Sequence, residues 1–212
     1  MKIRILIPDA AAPDGDLGVL ARLGADVELE PVAVRADDDP STELGLTRVA
    51  IAVATAGVSA EADGCDAVVV DSIGDPGLYA LRSRLSIPVV AAGQSAFALA
   101  LNLGLRFAIV LDSPRWRYAV GRSLRLYELR DRCVSVAVGD AASTPADADV
   151  VVRWTEQLAP AVEAGAIPVV DARLAALQTA ERLCRLGLAQ SKAAFPAPHV
   201  RQDEKLAALL EG

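Results

Sequence analysis

Short runs of Val, Ile and Leu alternate along this chain with longer Ala/Leu-rich segments of helical period. Buried parallel strands read as nearly continuous apolar stretches, and the helices that cover them repeat their apolar positions every three to four residues. Strands are predicted at Lys2–Ile7, Asp26–Pro31, Ala67–Asp71, Pro88–Ala91, Arg106–Leu111, Val134–Val138, Val150–Arg153 and Ile167–Val170. Helices are predicted at Leu17–Leu23, Thr42–Ala62, Pro76–Leu85, Ser95–Leu103, Arg115–Tyr127, Gln157–Ala164 and Ala172–Leu186. Strands alternating with helices imply an α/β fold of doubly wound parallel sheets. Pro76 is expected in the first turn of its helix, where a missing amide hydrogen breaks no bond.

The pattern also repeats at longer range. Asp66-Ala-Val-Val-Val-Asp-Ser, a helix and Ser86-Ile-Pro-Val-Val have a counterpart in Asp149-Val-Val-Val-Arg-Trp-Thr, a helix and Ala166-Ile-Pro-Val-Val. The repeat is open to two readings: the ordinary recurrence of β-α units, or two similar halves facing each other across a cleft. Gly139–Ala148 is small, polar and Pro-containing, and reads as a loop too short for a crossover helix. Past Pro196-Ala-Pro, Gln202–Leu210 is predicted as a short amphipathic helix.

Composition narrows the function. Hydrophobic residues make up 53% of the chain and aromatics 4%, so the core is built from Ala, Val and Leu. A net charge of −7 argues against a nucleic-acid partner, which needs a basic face. Cys65, Cys133 and Cys184 are widely spaced, with neither a CxxC pair nor a His cluster, so no metal site, disulfide framework or cofactor is expected. The opening apolar run ends at Pro8-Asp9, too short for a signal sequence, and no later run is long enough for a membrane span. A cytoplasmic protein with a small-molecule partner and no membrane contact is expected.

In open α/β sheets, ligands bind beyond the carboxyl ends of the strands. That rule selects Pro8–Ala11, Asp71–Pro76, Ala92–Ser95 and Arg153–Gln157. In Asp71-Ser-Ile-Gly-Asp-Pro-Gly-Leu, a polar pair ends a Val run, and Gly74, Pro76 and Gly77 shape a tight turn. Asp75 reads as a helix cap. His199, the single histidine, reads as a surface residue of the tail.

Cys65-Asp-Ala-Val-Val-Val-Asp-Ser-Ile-Gly-Asp-Pro-Gly-Leu, Ile87-Pro-Val-Val and Leu186-Gly-Leu-Ala-Gln-Ser-Lys together resemble the hydantoin racemase branch of the aspartate/glutamate racemase superfamily. The resemblance implies two pseudo-symmetric doubly wound halves with the cleft between them, here residues 1–91 plus 172–212 and residues 92–171 of a single unit. It also implies a homo-oligomer, and two catalytic cysteines that exchange protons with opposite faces of one carbon. Ser72 and Trp154 stand where those cysteines are expected, and none of the three cysteines present lies at the predicted cleft. Two-thiol proton transfer is therefore not expected. The remaining expectation is an isomerase, lyase or hydrolase-type enzyme acting on a small carboxylic acid or cyclic amide. Ser72, Asp71 and Glu156 are its candidate catalytic residues. Asp9, Ala10, Ile73, Gln94, Ser95, Arg153, Trp154 and Thr155 are its candidate substrate-binding residues, with Arg153 the carboxylate anchor and Trp154 an apolar wall. The alternative is a non-catalytic protein that binds a metabolite or a partner protein through the same cleft.

Overall fold

A computed structural model describes residues 1–8, 22–35, 39–139, 147–155 and 167–199. Eight strands form two four-stranded parallel sheets. The first holds β1 (Lys2–Pro8), β2 (Glu28–Val34), β3 (Ala67–Val70) and β4 (Val89–Ala91), in the order β2-β1-β3-β4. The second holds β5 (Phe107–Leu111), β6 (Cys133–Val138), β7 (Val150–Trp154) and β8 (Val169–Asp171), in the order β6-β5-β7-β8. Each sheet thus places its strands second-first-third-fourth in chain order, so the sequence repeat is a repeat of topology.

The first sheet carries α1 (Glu43–Gly57) and α2 (Leu78–Arg84) on its outer face. There Val49 and Val53 pack with Leu81, Val68 and Val70. Its inner face shares one core with the second sheet and with α3 (Ala92–Leu103), α4 (Arg117–Leu126) and α5 (Ala172–Arg185). The pleat alternates side chains across a strand, so Ala67 and Val69 enter the shared core while Val68 and Val70 enter the outer one. Phe97 of α3 stacks on Phe107 of β5 at 5.6 Å between ring centres, fastening α3 to the second sheet.

Several boundaries differ from the sequence reading. Strand β2 starts at Glu28, because Gly24–Val27 forms a hydrogen-bonded turn, and it runs through Pro31, which an edge strand tolerates. Thr42 caps α1 by accepting from Gly45 N at 3.1 Å, and the helix ends at Gly57 rather than Ala62. Pro76 precedes α2 rather than entering it, since the cap is Gly77 with φ 72°. Helix α3 begins directly at the end of β4 rather than at Ser95, and α4 is entered through the tight turn Pro114–Trp116. Most of the helix predicted at 17–23, the helices predicted at 157–164 and 202–210, and most of the 139–148 loop lie outside the described residues.

Residues after α5 pack against the β4 edge of the first sheet and the end of α2. Val89 of edge strand β4 donates its amide to Gln190 Oε1 at 2.8 Å and accepts from Arg82 Nε at 3.0 Å. Lys192 Nζ donates to the carbonyls of Arg82, Ser83 and Leu85 at the end of α2, where a cation is favoured. His199 is exposed, and no helix among the described residues is long and apolar enough to cross a membrane.

Gly77 is the position where the turn into α2 tolerates no side chain. Its φ is in the left-handed region, and a Cβ there would sit 2.8 Å from Ala50 O. Gly77→Ala is expected to lower stability by about 1–3 kcal/mol, the usual range for overpacking, read as an earlier midpoint in chemical denaturation.

Candidate functional site

The carboxyl ends of β3 and β7, one from each sheet, meet at the first turn of α5. Asp71 follows β3 in pleat phase with Ala67 and Val69 and so points into the shared core. It is 2% exposed, and its Oδ2 accepts from Arg173 Nε at 2.6 Å. Arg173 is the second residue of α5 and is itself buried; its guanidinium lies 5.4 Å from the centre of the Trp154 ring, over its face, and donates to Thr155 O at 3.5 Å. Asp71 and Trp154 are thereby joined, across the two halves, by a residue the sequence reading passed over.

Two polar atoms in this cluster are buried without a hydrogen-bond partner: Asp71 Oδ1, an acceptor, and Trp154 Nε1, a donor. Buried polar groups are nearly always satisfied, which makes this pair, like the unpartnered Ser135 Oγ elsewhere, an exception among the described residues. Burial pushes the Asp71 carboxyl upward from its ordinary value, against the pull of Arg173.

The other predicted residues fall into three groups. Ser72 and Ile73 are fully buried beside Asp71, and Ser72 Oγ accepts weakly from Gly74 N at 3.4 Å, leaving the hydroxyl proton to donate. Gln94 and Ser95 lie in the first turn of α3, where Gln94 Oε1 accepts from Arg82 at 2.7 Å. Arg153 stands on the opposite side of the pleat from Val152 and Trp154, and there its Nη2 meets Asp171 Oδ2 at 3.2 Å. The guanidinium that reaches Asp71 is thus Arg173's. Asp9, Ala10 and Glu156 lie outside the described residues.

Asp75 caps a helix, but the helix is α3 rather than α2. Its two oxygens accept from Gly93 N and Gln94 N, both at 2.8 Å, and Oδ2 accepts also from Tyr127 OH at 2.7 Å. Two α3 amides that a substrate oxyanion would need are therefore occupied. Gly93 permits the approach, since a Cβ there would stand 2.3 Å from Ile73 O and 2.9 Å from both Asp75 oxygens. Burial pushes the Asp75 carboxyl up to about 7, outweighing three hydrogen bonds that favour the anion.

The cysteines stand apart from this cluster. Cys65 precedes β3 and Cys133 opens β6, at the opposite ends of the strands, and Cys184 lies near the end of α5. Burial raises all three thiols, Cys133 to about 11, so none is primed as a thiolate. Among the described residues, no group of three or more His, Cys, Asp or Glu is placed to hold a metal.

Two stability measurements test this electrostatic picture. Arg173→Leu is expected to cost about 3–5 kcal/mol, because it strands a buried carboxylate, whereas the double variant Asp71→Leu/Arg173→Leu recovers much of that loss. The folded state holds the Asp75 proton more tightly than the unfolded chain, so its contribution is complete below about pH 4 and disappears as pH rises through about 7. Asp75→Asn is expected to flatten the decline in unfolding free energy across that window by at most about 1.4 kcal/mol per pH unit, from a lower starting value because the amide NH2 faces a backbone donor.

Comparison with known proteins identifies the family and the fold. The family model for Asp/Glu/Hydantoin racemase matches residues 30–170. A hydantoin racemase of Rhizobium meliloti is 27% identical over 158 residues, which cover 62% of this chain and 66% of that protein. A hydantoin racemase of Pseudomonas sp. (strain NS671) is 34% identical over 76 residues, 36% of this chain and 30% of that one. The matched stretches thus span less than two thirds of either relative's length. Allantoin racemase from Klebsiella pneumoniae has the same fold, with TM-score 0.78 at 22% identity over 97% of this chain and 98% of that one. With a family match that runs from β2 into β8 and takes in both sheets, the chain belongs to the Asp/Glu/hydantoin racemase family.

Proposed function

We propose that the protein is an enzyme of this family that acts on a small carboxylic acid or cyclic amide by proton transfer through the Asp71 carboxyl rather than between two thiols. The observation that carries this reading is the pair of unsatisfied buried atoms, Asp71 Oδ1 and Trp154 Nε1, on either side of Arg173.

In this scheme Asp71 Oδ1 takes a proton from the substrate while Arg173, held on Oδ2, stabilises the carboxylate that carries it. The charge that develops on substrate oxygen is met by Trp154 Nε1–H and by the Ser72 hydroxyl, donors inside a site from which water is excluded. Asp71 then returns its proton to the intermediate. Burial raises the proton affinity of this carboxyl, which favours its holding the proton between the two steps. Trp154, across Arg173 from Asp71, carries no titratable proton, so the chemistry is one-sided: isomerisation or decarboxylation with return of a proton to one face, rather than exchange between two bases. Arg153, paired with Asp171, supports β8 and the start of α5 in this scheme instead of anchoring a carboxylate.

The fold neighbours span such chemistries by name. Arylmalonate decarboxylase and the maleate isomerase of Pseudomonas putida S16 each align with TM-score 0.62, at 16% and 15% identity. A second reading, a ligand-binding protein without turnover, is favoured by the absence of a proton carrier in the Trp154 indole.

The two readings separate in one experiment. The protein is incubated in deuterated buffer with a panel of substituted malonates, unsaturated dicarboxylates, hydantoins and lactams, and turnover and carbon-bound deuterium are followed by NMR. The expected result is turnover that falls by about 100-fold or more in Asp71→Asn, the usual weight of a general acid–base group. Ser72→Ala is expected to fall less, and joint replacement of Cys65, Cys133 and Cys184 by Ala to leave the rate within about twofold, since no thiol takes part. Saturable binding with no turnover establishes the second reading, and loss of activity in a folded cysteine-free variant overturns the first.

A further inference from the structure

The turn that carries Asp71 and Ser72 is closed by residues the proposed chemistry does not use. Asp75 N donates to Ser72 O at 3.2 Å, and Gly74 N donates to Ser72 Oγ at 3.4 Å. Both the main chain and the hydroxyl of Ser72 are therefore tied to the residues that follow it. Asp75 itself adopts φ 52°, in the left-handed region, where a residue with a Cβ is disfavoured. Such a conformation persists only where the surrounding contacts over-determine it.

Those contacts come from two helices. From α3, Gly93 N and Gln94 N hold Oδ1 and Oδ2 of Asp75. From α4, Tyr127 OH donates to Oδ2 at 2.7 Å and Ser123 Oγ donates to Gly74 O at 3.1 Å. The Tyr127 ring lies edge-on to Phe97 of α3, with 6.5 Å between ring centres, so the phenol is braced against the helix that Asp75 caps. Glu128, which follows Tyr127, is the other non-glycine residue at positive φ among the described residues, at 58°. The two left-handed residues thus stand at the two ends of one hydrogen bond, Asp75 as its acceptor and Glu128 beside its donor.

A carboxyl held in this way can change charge without releasing α3. The two amides only donate, whereas a phenol oxygen also accepts, so a proton arriving on Oδ2 is donated to Tyr127 and the bond reverses in place. The other charged neighbours are engaged elsewhere. Arg82 of α2 is held by Val89 O and Gln94 Oε1, and Glu43 of α1 is paired with Arg122 of α4; Tyr79 of α2 completes the ionisable groups on this side. We propose that Asp75 and Tyr127 are positioning residues for the candidate site, their hydrogen bond holding the 72–75 turn against α3 and α4 and so fixing the Ser72 hydroxyl beside Asp71. The clamp stands on this geometry, and its effect on turnover rests on the roles proposed for Asp71 and Ser72.

Two measurements on the full chain test it. In NMR of selectively labelled serine, the Hα–Hβ couplings of Ser72 are expected to report a single side-chain rotamer in the wild type at both pH 6 and pH 8, on either side of the Asp75 titration near 7. Tyr127→Phe and Asp75→Asn are expected to show rotamer averaging at Ser72, a signature that loss of a helix cap elsewhere does not produce. With the compound of the panel above that the wild type turns over fastest, Tyr127→Phe is expected to lower kcat by about tenfold and to leave KM within about twofold. In a Ser72→Ala background the same substitution is expected to cost less than about twofold, because it acts through Ser72. Averaged couplings in the wild type at either pH, an unchanged single rotamer in both variants, or full additivity of Tyr127→Phe with Ser72→Ala overturns the proposal. If no compound of the panel is turned over, the enzymatic reading fails and the Ser72 couplings alone decide the clamp.

Discussion

A carboxylate and a guanidinium withdrawn from water together, Asp71 and Arg173, hold the centre of this molecule. Removing two such charges from solvent costs several kcal/mol each, and close contact recovers that cost only where geometry is good. Here the geometry is fixed from three directions. Strand β3 delivers Asp71 at its end, Asp171 caps α5 by accepting from Leu174 N at 3.0 Å, and the Trp154 ring seats the guanidinium. If α5 turned or slid by one residue, Arg173 would leave Asp71 stranded. The pair therefore sets the register between the first sheet, α5 and the second sheet, and apolar burial alone would tolerate more than one such register.

The repeated architecture was legible because it is written locally. Valine runs followed by turn residues, and Ile-Pro-Val-Val in two places, specify strands whatever surrounds them, and the resemblance of Asp71–Leu78 to the racemases led to the right family. The site was less legible, because its key contact is not local. Arg173 is 102 positions from Asp71 and, read in sequence, is an ordinary charged residue in the first turn of an amphipathic helix. Arg153 reads as the anchor because it lies at a predicted strand end, but it stands on the face of the pleat opposite to Trp154 and there meets Asp171. Asp75 was recognised as a cap, yet the amides it caps lie 18 and 19 residues onward rather than in the helix it precedes. Pattern reading finds elements, whereas the pairings between their ends are decided by packing.

The two halves share strand order but differ in how they are filled. In the first, the chain passes from β2 to β3 through α1; in the second, it passes from β6 to β7 through residues 139–149. Helix α1 is what gives the first half its second core, with Val49 and Val53 against Val68 and Val70, and it is also one wall of a cavity of about 320 Å³ behind the Gly74–Gly77 turn. That cavity is thus a product of the asymmetry between halves, whereas the Asp71–Arg173–Trp154 cluster is a product of their symmetry, drawing on equivalent strands β3 and β7.

The cover that Gln190 gives the β4 edge bears on how the chain is made. An edge strand with open amides and carbonyls is a template for pairing with another chain. Val89 and its cover are separated by 101 positions, so on a ribosome β4 is complete long before the residues that protect it emerge. Throughout that interval the Val89 amide lacks its Gln190 partner and the first sheet lacks the inner-face packing supplied by α5. Synthesis of the segment that follows α5 is therefore the step that covers the outward amide of Val89 against strand pairing.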